Sequence, residues 1–178
     1  MRRSPLLLAA GAALLCACGR SRVAPVPPTP PPAVAELRDA QGLAVGSVRA
    51  EADPFGVRFL IHVRGLPQGP HGVHLHAVGV CTPPDFASAG PHFNPLSTVH
   101  GLATPEGPHA GDLPNIVVGP DGSGDAVLVN PRVTLGQGTN SLFDADGTAF
   151  VIHATADDQR TDPAGASGPR IACGVFRR

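Results

Sequence analysis

The sequence predicts an all-β domain, an antiparallel sandwich or flattened barrel, from three observations. Val57, Phe59, Ile61 and Val63 alternate with Arg58, Leu60, His62 and Arg64, a period of two that gives a strand one largely apolar and one mostly polar face. Turn signals at Asp53-Pro54, Pro120-Asp121-Gly122 and Asp144-Ala145-Asp146-Gly147 separate short runs rich in Val and Ala. No amphipathic helical period and no internal repeat interrupts the pattern from Ala33 onward. His62, on the polar face of its strand, is expected to point to solvent.

The first 32 residues read differently. Arg2-Arg3, an apolar stretch from Leu6 to Leu15 and small residues around Ala17-Cys18-Gly19 form an export signal, too short to span a bilayer. Leu15-Cys16-Ala17-Cys18 is also similar to a bacterial lipoprotein box, which predicts removal of residues 1–17 and lipid attachment at Cys18. Ordinary cleavage of a secreted protein is the alternative. Residues 18–32 are rich in proline and form no core; largely extended, they would reach about 40 Å and act as a spacer. The domain proper is expected at residues 33–178.

With 178 residues, 42% hydrophobic side chains and a formal charge of −1, the chain has room for one globular domain plus these appendages. Its 13 basic residues are all arginine and form no run, which excludes a nucleic-acid partner held by a continuous basic track. Seven Phe and no Trp or Tyr leave a core of Val, Leu, Ile and Ala. A core of that kind gains from a metal or a cross-link.

The histidines carry the chemistry. His74 and His76 stand as His-Leu-His, and a strand's period of two puts both imidazoles on one face, with Leu75 on the other. Further on, Gly90-Pro91-His92-Phe93-Asn94-Pro95, His100 and Pro108-His109-Ala110-Gly111-Asp112 place three histidines and a carboxylate in a segment rich in glycine and proline. Such a segment is expected to have little core of its own. Three imidazoles and one carboxylate fit a closed tetrahedral zinc site whose binding orders the loop. His153 follows the apolar run Ala149-Phe150-Val151-Ile152; it is either a core histidine satisfied by a hydrogen bond or a ligand brought from a separate strand.

The motifs His71-Gly-Val-His-Leu-His76, Ser88-Ala-Gly-Pro-His-Phe-Asn-Pro95, His109-Ala-Gly-Asp112 and Gly168-Pro-Arg-Ile-Ala-Cys-Gly174, in this order, resemble the copper,zinc superoxide dismutase family, and in particular its exported bacterial branch. The resemblance spans Ala33 to Arg178. It implies a Greek-key β-sandwich, the architecture known for this family. It further implies one copper and one zinc per subunit: copper on His74, His76, His92 and His153, and zinc on His92, His100, His109 and Asp112, with His92 shared. The implied reaction converts two superoxide anions and two protons to oxygen and hydrogen peroxide.

The same resemblance gives Arg170 the part of an anion guide and His92 that of proton carrier. Asp157 is implied as the acid that links His74 to His100, and His71 as a structural histidine behind the copper site. Cys81 and Cys173 are implied to form a disulfide tying the metal-bearing loop to the final strand, as an exported protein permits. Because the net charge opposes capture of an anion, any steering must be local. Homodimer and monomer both remain open.

Some positions depart from the family pattern. Ala77 replaces an acid that often follows the His-x-His pair, and Ala164-Gly165-Ala166 lacks the usual Thr and Asn. These changes bear on the polarity of the channel, since no ligand is lost. A non-enzymatic protein of the same fold, storing or delivering copper, is the rival reading; its expected mark is a missing copper ligand.

Overall fold

The computed structural model describes residues 29–178. The expected export signal and the lipid acceptor Cys18 lie outside the described residues. Among the described residues nine strands follow in chain order: β1 (Ala33–Asp39), β2 (Ala44–Asp53), β3 (Gly56–Val63), β4 (Gly69–His71), β5 (Val73–His76), β6 (Ile116–Val118), β7 (Gly124–Asn130), β8 (Ala149–His153) and β9 (Arg170–Val175). Among the described residues the helical content is one 3₁₀ turn, Ala87–Ala89.

Seven strands form one curled antiparallel sheet in the order β5-β8-β9-β1-β2-β3-β7, and β4 pairs with β6. The returns that set β8 beside β5, β9 beside β1 and β7 beside β3 make the topology a Greek key and not a simple meander. The chain passes from β4 to β5 through Gly72 alone, so the two sheets share a wall. At the far end of β1, Val34 and Arg177 exchange backbone hydrogen bonds of 2.8 and 2.9 Å.

Strand β3 shows why the alternation was readable. Val57, Phe59, Ile61 and Val63 are buried, and Arg58, Leu60 and His62 are exposed. His62 faces solvent and pairs there with Asp125, Nδ1 to Oδ1, at 2.7 Å. Phe59, Phe150 and Phe176 meet with ring centroids 5.9 to 6.4 Å apart at the centre of the core. Fully burying such a side chain is worth about 1.5–3 kcal/mol.

Strand β8 is buried along its whole length because both of its faces are covered. Phe150 and Ile152 face the main core, while Ala149 and Val151 pack against Phe86, Ala89 and Cys173. A strand covered on both sides reads as an unbroken apolar run.

The long loop between β5 and β6 corrects one expectation. It does have a core: Phe86 and Ala89 fill the smaller cluster, and Phe93, Ala110 and Leu113 enter the main one. These apolar residues stand singly among Gly and Pro, so no periodicity announces them. A disulfide joins Cys81 in this loop to Cys173 in β9.

Candidate metal centre

Six histidines and two carboxylates converge where β5, β8 and the long loop meet. The antiparallel register pairs His74 with Val151 and His76 with Ala149, and His153 follows Val151 by two residues, with its ring centroid 4.7 Å from that of His74 and 5.8 Å from that of His76. An isolated bridge between His76 and His92 folds the loop back over that end. His74, His76, His92, His100, His109, Asp112 and His153 are all buried.

Each ring has one nitrogen oriented by the protein. His74 Nε2 is 2.7 Å from Asp157 Oδ2, His76 Nδ1 is 2.9 Å from the Gly90 carbonyl oxygen, and His153 Nδ1 is 3.0 Å from that of Gly168. The opposite nitrogens, His74 Nδ1, His76 Nε2, His92 Nε2 and His153 Nε2, are buried without any hydrogen-bond partner. Unmet polar atoms of this kind are rare in folded interiors, and four in one cluster need a common explanation. Ligand atoms of these four rings lie within 4.8 Å of one another, so a single ion can satisfy all of them.

A second set surrounds Asp112 Oδ1. His92 Nδ1 and His100 Nδ1 are each 3.0 Å from it, and His109 Nδ1 is 3.3 Å from both Asp112 Oδ1 and His92 Nδ1. Ligands about 2.0 Å from a tetrahedral centre are about 3.3 Å from each other, so these spacings outline a zinc-sized tetrahedron. A nitrogen of His74 also falls near this set, but its Nε2 is committed to Asp157 and its Nδ1 belongs with the first group, leaving His109 as the better fourth donor. His92 therefore presents Nδ1 to one group and Nε2 to the other.

The carboxylates are held from behind. Asp112 Oδ2 accepts the backbone N–H of Gly101 at 2.8 Å and of His109 at 2.9 Å, which leaves Oδ1 for the imidazoles. Arg132 donates to the carbonyl oxygens of Asp112, at 2.7 Å, and His109, at 3.2 Å. Asp157 bridges the two halves, with Oδ2 on His74 Nε2 and Oδ1 3.1 Å from His100 Nε2. His71 Nδ1 sits 2.7 Å from the His153 carbonyl oxygen.

Burial dominates the titration of the first set. It lowers His74 to about 3 and His153 to about 4, and it carries His76 well below the ordinary value. His92 is lowered by burial as well, against the pull of Asp112. These rings stay neutral, as metal ligands must. Burial also presses His100 downward, but hydrogen bonds to Asp112 and Asp157 outweigh it and raise that ring to about 9. Burial would raise both carboxylates, yet the imidazole hydrogen bonds hold them well below their usual range.

Three of the four rings of the first set, His76, His92 and His153, line an open pocket of about 1270 Å³ together with Arg170. Arg170 donates from its two terminal nitrogens to the carbonyl oxygens of Phe86 and Gly90, at 2.6 and 2.7 Å. It makes no ion pair with a carboxylate among the described residues.

The family model for copper/zinc superoxide dismutase matches residues 44–176. The chain belongs to that family. A copper/zinc superoxide dismutase of Aquifex aeolicus is 47% identical over 145 residues, covering 80% of this chain and 85% of that protein. Among solved copper/zinc superoxide dismutase folds, a superoxide dismutase-like protein from Bacillus subtilis has a TM-score of 0.77 at 42% identity, covering 80% of this chain and 96% of that one. The enzyme from Brucella abortus has a TM-score of 0.70 at 27% identity, covering 83% and 100%.

Sequence reasoning missed several groups that shape this superoxide dismutase site. The carbonyl oxygens of Gly90 and Gly168 orient His76 and His153, Asn115 brackets the Asp157 backbone, and Arg132 braces Asp112. Backbone carbonyls have no sequence signature. Gly165 stands in the sequence only as part of the departing stretch Ala164-Gly165-Ala166, whereas in the fold a Cβ there would collide with the Asp157 carboxylate.

Proposed function

We propose that this protein disproportionates superoxide at copper held by His74, His76, His92 and His153, beside zinc held by His92, His100, His109 and Asp112, with one of each ion per subunit. The observation that carries this reading is the set of four buried, unpartnered ring nitrogens, each on a ring whose other nitrogen is oriented by the protein. Copper in the first set supplies a one-electron couple that oxidises one superoxide to oxygen and reduces another to peroxide, and zinc in the second supplies fixed positive charge.

The chain's own groups do the rest. His92 lines the pocket and its Nε2 has no protein partner, so that nitrogen is the one free to hold a proton for the departing peroxide. Asp157 fixes the tautomers of His74 and His100 together. Arg170, clamped by two carbonyls, offers its remaining N–H donors to a small anion in the pocket. Storage or delivery of copper would leave a ligand missing, and all four are present.

Activity of the metal-loaded protein, measured alongside its copper and zinc content, tests the reading. Equal copper and zinc with activity that disappears on exchange of copper for a redox-silent ion is the expected result; activity retained after that exchange overturns it. A zinc-only, inactive native protein would favour the storage role.

The functional residues are assigned to a domain at 33–178, residues 1–17 to an export signal and 18–32 to a spacer lipidated at Cys18. The Cys81–Cys173 disulfide supports a location outside the cytoplasm. Fatty-acid labelling that persists in the Cys18→Ser variant would refute the anchor.

A further inference from the structure

Gln159, in the loop between β8 and β9, holds a backbone conformation that its residue type rarely takes. Its φ is +60°, in the left-handed region that is strained for any residue with a Cβ, and such strain persists only where the surroundings enforce it. Four hydrogen bonds do so. The Gln159 backbone N–H donates to Asp157 Oδ1 at 2.5 Å, and its carbonyl oxygen accepts the N–H of Ala103 at 3.1 Å. Side-chain Oε1 accepts the Leu102 N–H at 3.3 Å, while Nε2 donates to the Leu113 carbonyl oxygen at 3.2 Å.

These partners are not scattered. Leu102 and Ala103 come just after His100, Leu113 directly follows Asp112, and Asp157 Oδ1 is the oxygen that lies 3.1 Å from His100 Nε2. His100 and Asp112 in turn stand 3.0 Å apart, Nδ1 to Oδ1, in the second ligand set. One residue of the loop between β8 and β9 therefore grips the other loop just beyond two of its proposed zinc ligands, and also the carboxylate behind one of them. Gly101 closes the contact from the opposite side. A Cβ on it would stand 2.2 Å from the Gln159 carbonyl oxygen, so only glycine lets the two segments approach this far.

We propose that Gln159 is a positioning residue for the zinc set: its carboxamide locks the chain beyond His100 and Asp112 at the ligand spacing, and its backbone N–H keeps Asp157 aimed at His100. The inference rests on the proposed zinc assignment and adds to it a residue outside both ligand sets. Outer partners of this kind set how tightly and in what geometry the ion is held.

The test uses the full chain loaded with copper(I), which is colourless, and titrated with cobalt(II) in place of zinc, so that visible absorption reports tetrahedral coordination in the second set. Gln159→Met keeps the side-chain length and loses both of its hydrogen bonds. Cobalt is expected to bind it about 10-fold more weakly, with a weaker and shifted tetrahedral band. Gln159→Gly loses the same two bonds but relieves the left-handed strain, so its metal-free form should unfold at a higher urea concentration than that of Gln159→Met and yet bind cobalt no better. Cobalt affinity that recovers together with the urea midpoint in Gln159→Gly, or a band and affinity unchanged in both variants, overturns the positioning role. A wild-type chain that takes up no cobalt overturns the zinc assignment and this inference together. One that takes it up but, once loaded with copper and zinc, consumes no superoxide overturns the proposed function, while the cobalt comparison still decides the role of Gln159.

Discussion

His74 and Asp157 meet at 2.7 Å with both side chains wholly buried, and the other oxygen of the same carboxylate lies 3.1 Å from His100. One side chain thus orients a ring from each ligand set. In the proposed assignment the two sites are coupled through Asp157 as well as through His92.

Replacing the bridge should uncouple the sites. In Asp157→Ala, the zinc affinity is expected to fall 10- to 100-fold, the usual loss when an outer partner of a ligand is removed. Competition with a chelator measures it, and the visible absorption of bound copper should shift as His74 loses its anchor. Unaltered zinc affinity would show that Asp157 positions neither ring.

Gly165 should matter through Asp157. Its φ is +63°, and a Cβ would stand 1.7 Å from Asp157 Oδ1 and 2.9 Å from His100 Nε2. Gly165→Ala is therefore expected to reproduce the zinc loss of Asp157→Ala, with no further zinc loss in the double variant. Gly42, with φ +81° and open space around it, separates backbone strain from this effect. Gly42→Ala should cost about 1–2 kcal/mol of stability and leave zinc affinity unchanged.

The metal-free protein should be most stable near neutral pH. Burial holds His74 at about 3 and His153 at about 4 in the fold, whereas unfolded imidazoles titrate near about 6.5. Between those values the unfolded chain binds more protons, so stability falls as acid is added. His100 acts in the opposite sense. Raised to about 9, it contributes stability fully below about 6.5 that is lost as pH rises through about 9. Urea unfolding at pH 4.5, 7 and 9.5, chosen as roughly spanning these ranges, should give its highest midpoint at the central value.

Arg170→Ala should lower superoxide consumption about 10-fold at low salt without changing copper or zinc content, since Arg170 is in neither ligand set. An unchanged rate would remove Arg170 from substrate handling. Arg170→Lys should recover only part of the loss, because an ammonium cannot reproduce the planar fork that spans the Phe86 and Gly90 carbonyls.

The parts of the molecule that sequence revealed share a physical basis. Strand β3 declared itself because one face is wet, and period-two alternation follows directly from that. The pair His74 and His76 was legible because a short strand fixes their relative direction. The core of the long loop escaped notice because Phe86, Phe93 and Leu113 reach it through irregular backbone, where spacing carries no direction. The clamp on Asp112 and the carbonyls behind His76 and His153 are backbone groups, so no residue type marks them.

Strand β9 begins at Arg170, beside the pocket, and its line continues seven residues to Arg177, where Val34 pairs with it. At about 3.4 Å per residue this separates the two points by about 24 Å. Ala33, where β1 begins, lies at this remote pole, so attachment through the N-terminal side of the chain would hold the pocket outward, away from the surface to which the molecule is moored.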